Sequence, residues 1–192
     1  MTSRLFRWAL ALGAGLIAAH TAVAGVTTYY VEFTPEGAGG RTGSGAATVT
    51  FDDVTHVLRY AGSFTGLSGT STAAHFHCCT ALPNTGTTNI AVDTPSLLGF
   101  PLGVSAGSFD DSLDLDDPLN FTAAFVTASG GTAALAIARL ITAFENDTAY
   151  LNIHSTRFAG GEIRGFVHIP EPASLALMAL ALTGLGVIGR RR

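Results

Sequence analysis

Two histidines two residues apart, His75 and His77, sit in the segment Thr72–Cys78 (TAAHFHC), and a third, His154, ends the segment Tyr150–His154 (YLNIH). Both segments alternate apolar and other residues as strands do, and alternate strand residues share a face. His75 and His77 therefore point the same way, away from Ala74, Phe76 and Cys78, so that both imidazoles can reach one ion. His154 shares its face with Asn152 and Tyr150, opposite Leu151 and Ile153. Three neutral imidazoles suit copper or zinc. The same residues could equally hydrogen-bond to one another along a polar strand face. A shared ion requires the two strands to be neighbours. Directly after His77 come Cys78 and Cys79, the two cysteines of the chain. They can form a vicinal disulfide, remain thiols, or bind a metal.

Other polar groups carry less chemistry. The stretch Asp110–Asp117 is rich in carboxylates, which calcium takes, but it lacks the glycine and terminal glutamate of an EF-hand loop. Its alternation with Phe109, Leu113 and Leu115 marks it as the solvent face of a strand. Glu162 and Arg164 share a strand face and are expected to pair. No Ser-His-Asp spacing, phosphate-binding glycine loop or paired-carboxylate site stands out. No catalytic residue is therefore assigned.

The elements that must position these residues are mostly strands. Thr27–Phe33 is β-branched and aromatic. Ala47, Val49 and Phe51 alternate with threonines, Asp52-Asp53 turns the chain, and Val54, His56, Leu58 and Tyr60 are expected on one face of a following strand, as a hairpin. Asn89–Val92 and Ser108–Asp116 read as further strands, and Pro95–Gly103 as a Pro/Gly-punctuated loop. Asn120 or Thr122 can cap a short helix through Val126. Thr132 can cap a second, with Leu135, Ile137, Leu140, Ile141 and Phe144 as its apolar stripe and Asn146-Asp147 at its end. Two strands, Ala149–His154 and Glu162–Ile169, close the body around a loop at Gly160-Gly161. The fold class is mainly β: an antiparallel, Greek-key-like sandwich or barrel with one or two short helices. An N-terminal signal helix and a C-terminal transmembrane helix flank it.

The 192-residue chain divides into three parts: 1–24, 25–169 and 170–192. Residues 1–24 read as a secretory signal peptide, with Arg4 and Arg7 ahead of the apolar run Trp8–Ala19 and the small residues Ala22 and Ala24 around a cleavage point before Gly25. At the other end, Ala173–Gly189 is apolar throughout and just long enough to span the inner membrane. Arg190, Arg191 and Arg192 would hold the terminus in the cytoplasm. The body between them has five arginines, no lysine and thirteen carboxylates, a net charge of −8 that the whole-chain value of −4 conceals. Such a body is a poor partner for nucleic acid or for an anionic membrane surface.

Two resemblances add to this reading. Pro170-Glu171-Pro172, followed by an apolar run and terminal arginines, resembles the PEP-CTERM sorting signal of Gram-negative bacteria. The resemblance implies signal peptidase and an exosortase-type membrane peptidase as partners during export, cleavage near Pro-Glu-Pro, and delivery to the outer surface or exopolysaccharide. The body from about Thr28 to His168 resembles the CHRD (chordin-like) domain. The motifs that carry this likeness are Ala74-His75-Phe76-His77, Tyr150–His154 and Gly160–Gly165 (GGEIRG), with Cys78-Cys79 standing where many members have Gly-Pro. It implies an extracellular β-rich module. The HxH strand with a later strand histidine also looks like the copper half of a Cu/Zn superoxide dismutase. Only His56, His75, His77, His154 and His168 remain in the body, so no zinc-loop set accompanies it. The sequence thus points to an exported envelope or matrix module without catalysis. Its alternative is a single-site copper or zinc protein, with redox activity.

Overall fold

A computed structural model describes residues 25–92 and 95–169. Eight strands form one antiparallel sheet in the order β5-β4-β7-β8-β1-β2-β3-β6. They are β1 (Val26–Pro35), β2 (Ser44–Asp52), β3 (Val57–Thr65), β4 (Ser71–Cys78), β5 (Ile90–Val92), β6 (Gly107–Asp114), β7 (Ala149–Ser155) and β8 (Ile163–Phe166). The half made of β1, β2, β3 and β6 follows the alternation of its sequence. Tyr29, Val31 and Phe33, then Val49 and Phe51, then Leu58 and Tyr60, then Phe109 and Leu113 turn inward, while Tyr30 and the carboxylates of Asp110 and Asp114 turn to water. In β1 the inward residues alternate with the exposed Tyr30, Glu32 and Thr34.

The sheet curls into a half-barrel. Tyr60 of β3 meets Phe76 of β4 edge to face, 6.1 Å between ring centroids, although four strands lie between them in the sheet order. The open side is closed by α2 and by the loop before β6. Phe144 of α2 packs on Tyr29 (5.2 Å) and Phe76 (5.8 Å). In the loop, Leu97 and Phe100 are buried, the Leu97 amide donates to Ala74 O (2.9 Å) and the Tyr60 hydroxyl donates to Leu98 O (3.0 Å). Apolar area from both edges of the sheet is thereby removed from water without closing the hydrogen-bond ladder.

Two helices are present among the described residues, besides a 3-10 turn at Pro118–Asn120. α1 (Ala123–Ala128) is capped by Thr122, whose hydroxyl accepts the Phe125 amide (3.2 Å). α2 (Ala133–Glu145) is capped by Thr132, which accepts the Leu135 amide (3.3 Å). Ile137, Leu140 and Phe144 face the core as their spacing indicates, joined by Ala136 and Ala143. Leu135 is 48% exposed, because it lies in the first turn, over Gly130 rather than over the sheet.

One expectation is corrected here. Val54 and His56 do not share the β3 face with Leu58 and Tyr60. The Asp52 carboxylate accepts the amides of Val54 (2.9 Å) and Thr55 (3.0 Å), which stops the ladder, and His56 adopts a positive φ of 52°. The strand therefore begins at Val57. The histidine face of β4 and β7 is a polar face that is buried. Every residue of β7 is buried, and so is β4 from Ala74 to Cys78, because loops cover the side of these strands that faces away from the core.

Among the described residues no helix is long and apolar enough to cross a membrane. The segments assigned to the signal peptide and the transmembrane helix lie outside the described residues. So do Ala22, Ala24, Pro170, Glu171, Pro172, Arg190, Arg191 and Arg192.

Candidate metal centre

β4 and β7 are antiparallel neighbours, so the condition for a shared site is met. Their register sets His75 opposite Asn152, His77 opposite Tyr150, and Ala73 opposite His154, with an irregularity between Ser71 and Ala73. The three histidines gather on one face, 5%, 7% and 9% exposed for His75, His77 and His154. One nitrogen from each ring lies within 4.8 Å of the other two. The closest pair is His75 Nδ1 and His154 Nε2, 3.1 Å apart.

The remaining nitrogens settle which atoms are free. His75 Nε2 faces Pro95 O (2.8 Å), His77 Nδ1 faces Thr88 O (2.9 Å), and His154 Nδ1 faces Ala159 O (2.8 Å). A carbonyl oxygen can only accept, so each of these nitrogens carries the proton and donates it. The lone pairs then fall on His75 Nδ1, His77 Nε2 and His154 Nε2. His77 Nε2 is buried with no hydrogen-bond partner. The lone pairs of His75 and His154 face each other, and two acceptors do not bond. Burial pushes the His75 ring below the ordinary histidine value and the His77 ring down to about 4, partly offset by their carbonyl partners and reinforced by the mutual repulsion of the rings. Neutral imidazoles with fixed tautomers and converging lone pairs are what a metal ion needs, and ligand histidines in metal sites are held by such carbonyl bonds.

A second layer of residues backs the trio. The Tyr150 ring stacks on His77 (4.7 Å, 9° between planes), and its hydroxyl accepts the Thr88 amide (3.2 Å) and donates to Thr88 O (3.3 Å). Arg164 of β8 lies over the Tyr150 ring (4.8 Å), donates to Gly86 O (2.7 Å) and pairs with Glu36 (3.2 Å). Glu36 also accepts a hydrogen bond from Asn152 Nδ2. Gly161, at φ 123°, passes so close that a Cβ there would run into the Glu36 carboxylate and the Asn152 amide.

The expected Glu162–Arg164 pair does not form. Glu162 is fully buried and accepts both the amide and the hydroxyl of Ser68 (2.6 Å each), with the Thr42 amide at 3.4 Å. Burial raises this carboxyl, but the bonds from Ser155, Ser68 and Thr42 together outweigh it and leave it below its ordinary value. Arg164 takes Glu36 instead, because β8 pairs with the end of β1, Thr34 opposite Arg164. The carboxylates of Asp110–Asp117 turn to separate partners: Asp110 to Arg59 (2.5 Å), Asp116 to His56 (2.8 Å), and Asp117 to the Leu119 amide (2.9 Å). Cys78 and Cys79 are bonded to each other, with Cys78 packed in the core on the face opposite the histidines.

Sequence spacing found the histidines, and strand alternation placed Asn152 and Tyr150 beside His154. Glu36 and the carbonyls of Thr88, Pro95 and Ala159 left no such signal: Glu36 lies 116 residues from Asn152, and a loop carbonyl carries no residue identity that a pattern could read.

The described residues form a mainly β half-barrel with a buried polar face on β4 and β7. Comparison with known families specifies it: the CHRD domain matches residues 27–167 and the PEP-CTERM protein-sorting motif matches residues 168–192. The chain belongs to the CHRD domain family and carries a PEP-CTERM sorting motif at its C-terminus. That motif directs export, processing by an exosortase and sorting to the cell envelope. Neither family is known for catalysis. No curated protein and no solved structure matches the chain.

Proposed function

We propose that this protein is a non-catalytic envelope module whose CHRD domain holds one copper or zinc ion on His75, His77 and His154. The observation that carries the reading is the convergence of three lone pairs, each fixed by a backbone carbonyl on the far side of its ring. Metal–nitrogen bonds of about 2.0–2.1 Å set ligand nitrogens about 3.3–3.6 Å apart, so binding draws the widest pair in by roughly 1 Å and opens the 3.1 Å pair slightly, through side-chain torsions. The apolar segment Ala173–Gly189 holds the chain in the inner membrane until the exosortase cuts near Pro170-Glu171-Pro172. The released module then joins the outer surface or the exopolysaccharide.

Elemental analysis tests the metal. After loading with copper or zinc and removal of free ion, the mature protein is expected to retain about one ion per chain, and His77→Ala to retain none. A wild-type protein with no stoichiometric metal contradicts the reading and leaves the histidines with a purely structural role.

A further inference from the structure

We infer that the His75–His77–His154 centre is built for monovalent copper held by three nitrogens, in preference to zinc or cupric ion; this rests on the metal reading above. Coordination number is the first argument. Among the described residues no fourth histidine, cysteine, aspartate or glutamate joins the trio. Both cysteines are bonded to each other, so neither offers a thiolate. Zinc completes a set of four, with water where the protein supplies three, and cupric ion prefers a tetragonal set of four or more; the near-complete burial of the three rings leaves water little access to a further position. Cuprous ion, with a filled d shell and a single charge, is satisfied by three.

Charge is the second argument. Three neutral imidazoles give the site no negative charge to offset an ion. The nearest carboxylate in the supporting layer, Glu36, is taken by Arg164 (3.2 Å) and by Asn152. The cost of drawing an ion from water into a medium of low dielectric grows as the square of its charge, so a dication costs about four times as much as a monocation here. Arg164 adds to this. Its guanidinium lies over Tyr150, which lies in turn over His77, so a positive group already stands behind one ligand. The histidines are almost wholly shielded from bulk water, which could otherwise have screened that charge.

The test is a set of three competition titrations on the mature protein, one with cuprous ion against bicinchoninate without oxygen, the others with zinc and with cupric ion, each against a chromophoric chelator. X-ray absorption then counts the ligands. One cuprous ion per chain, three nitrogen neighbours and an affinity at least ~100-fold above that for zinc are expected. His77→Ala should weaken cuprous binding by at least ~100-fold, beyond the range set by second-layer changes. Circular dichroism confirms that the variant folds, and His154→Gln serves if it does not. Tighter binding of zinc or cupric ion, with a fourth ligand from solvent, overturns the preference and leaves the metal site standing. Binding of no metal at all overturns the site itself.

Discussion

Each of the three imidazoles is held by one nitrogen and left open at the other, and this has a consequence for the metal-free protein. An unfolded histidine takes up a proton near pH 6.5, whereas folded His77 does so only near 4 and His75 also resists. Below pH 6.5 the unfolded state therefore binds protons that the folded state refuses. The stability is fully present above about pH 6.5, declines as the pH falls towards 4, and levels off below that. His77 alone contributes roughly 3 kcal/mol to this decline. Urea unfolding of metal-free protein across this range should show the loss, and His77→Gln should flatten it; an unchanged profile would mean that the ring is not held neutral. Glu162 acts in a lower window. Its folded value lies below the ordinary 4.5, so its contribution is present above that pH and is lost as the pH falls through the folded value. Glu162→Gln places an amide against the Ser68 donors and is expected to cost about 2 kcal/mol at pH 7, read as a lower urea midpoint. At this scale the sequence was informative about residue types and spacing. It could not show the partners of Glu162 or Arg164, because Ser68 lies 94 residues from Glu162 and Glu36 sits just past the end of β1, far from Arg164 along the chain.

Elements carry the next set of expectations. Gly161 turns the chain into β8 at φ 123°, against Glu36 and Asn152. Gly161→Ala combines a strained backbone with a steric clash and should destabilise the domain by about 3 kcal/mol, while lowering metal retention through the displaced second layer. A variant as stable as wild type would show that the loop adapts. Thr132→Ala removes the α2 cap at a cost of about 1 kcal/mol with the metal site unaffected. Strand alternation and helix caps were legible because they are local: the Thr122 and Thr132 caps and the strands β1, β2 and β4 to β7 fall close to where the sequence pattern sets them. The start of β3 was not, because Asp52 competes for the backbone amides through a side-chain geometry that hydropathy does not encode. The burial of both faces of β4 depends on loops folding back over it, which no strand pattern reveals.

For the whole molecule, curling of the sheet brings β3 to β4 and lets α2 and the Leu97–Phe100 loop close the core. The sequence identified the class, sandwich or barrel, but the strand order that makes a half-barrel depends on long-range pairing. Targeting belongs to this scale too. Signal cleavage before Gly25 would place the new terminal ammonium at the Asp53 carboxylate, which the Gly25 nitrogen already approaches at 2.7 Å. The mature protein is therefore expected to begin at Gly25, which N-terminal sequencing checks. Intact mass with and without reductant reports on Cys78 and Cys79, with a gain of about 2 Da expected on reduction. Replacing Glu171 by Ala should leave an uncut, membrane-associated chain in fractionated cells.

The most direct test of the metal reading is native mass spectrometry of the mature protein after loading with copper, beside His77→Ala treated identically. The expected result is one copper ion on the wild-type chain and none on the folded variant. A wild-type spectrum without bound metal, or a variant that keeps its ion, would contradict the assignment of His75, His77 and His154 as a metal centre.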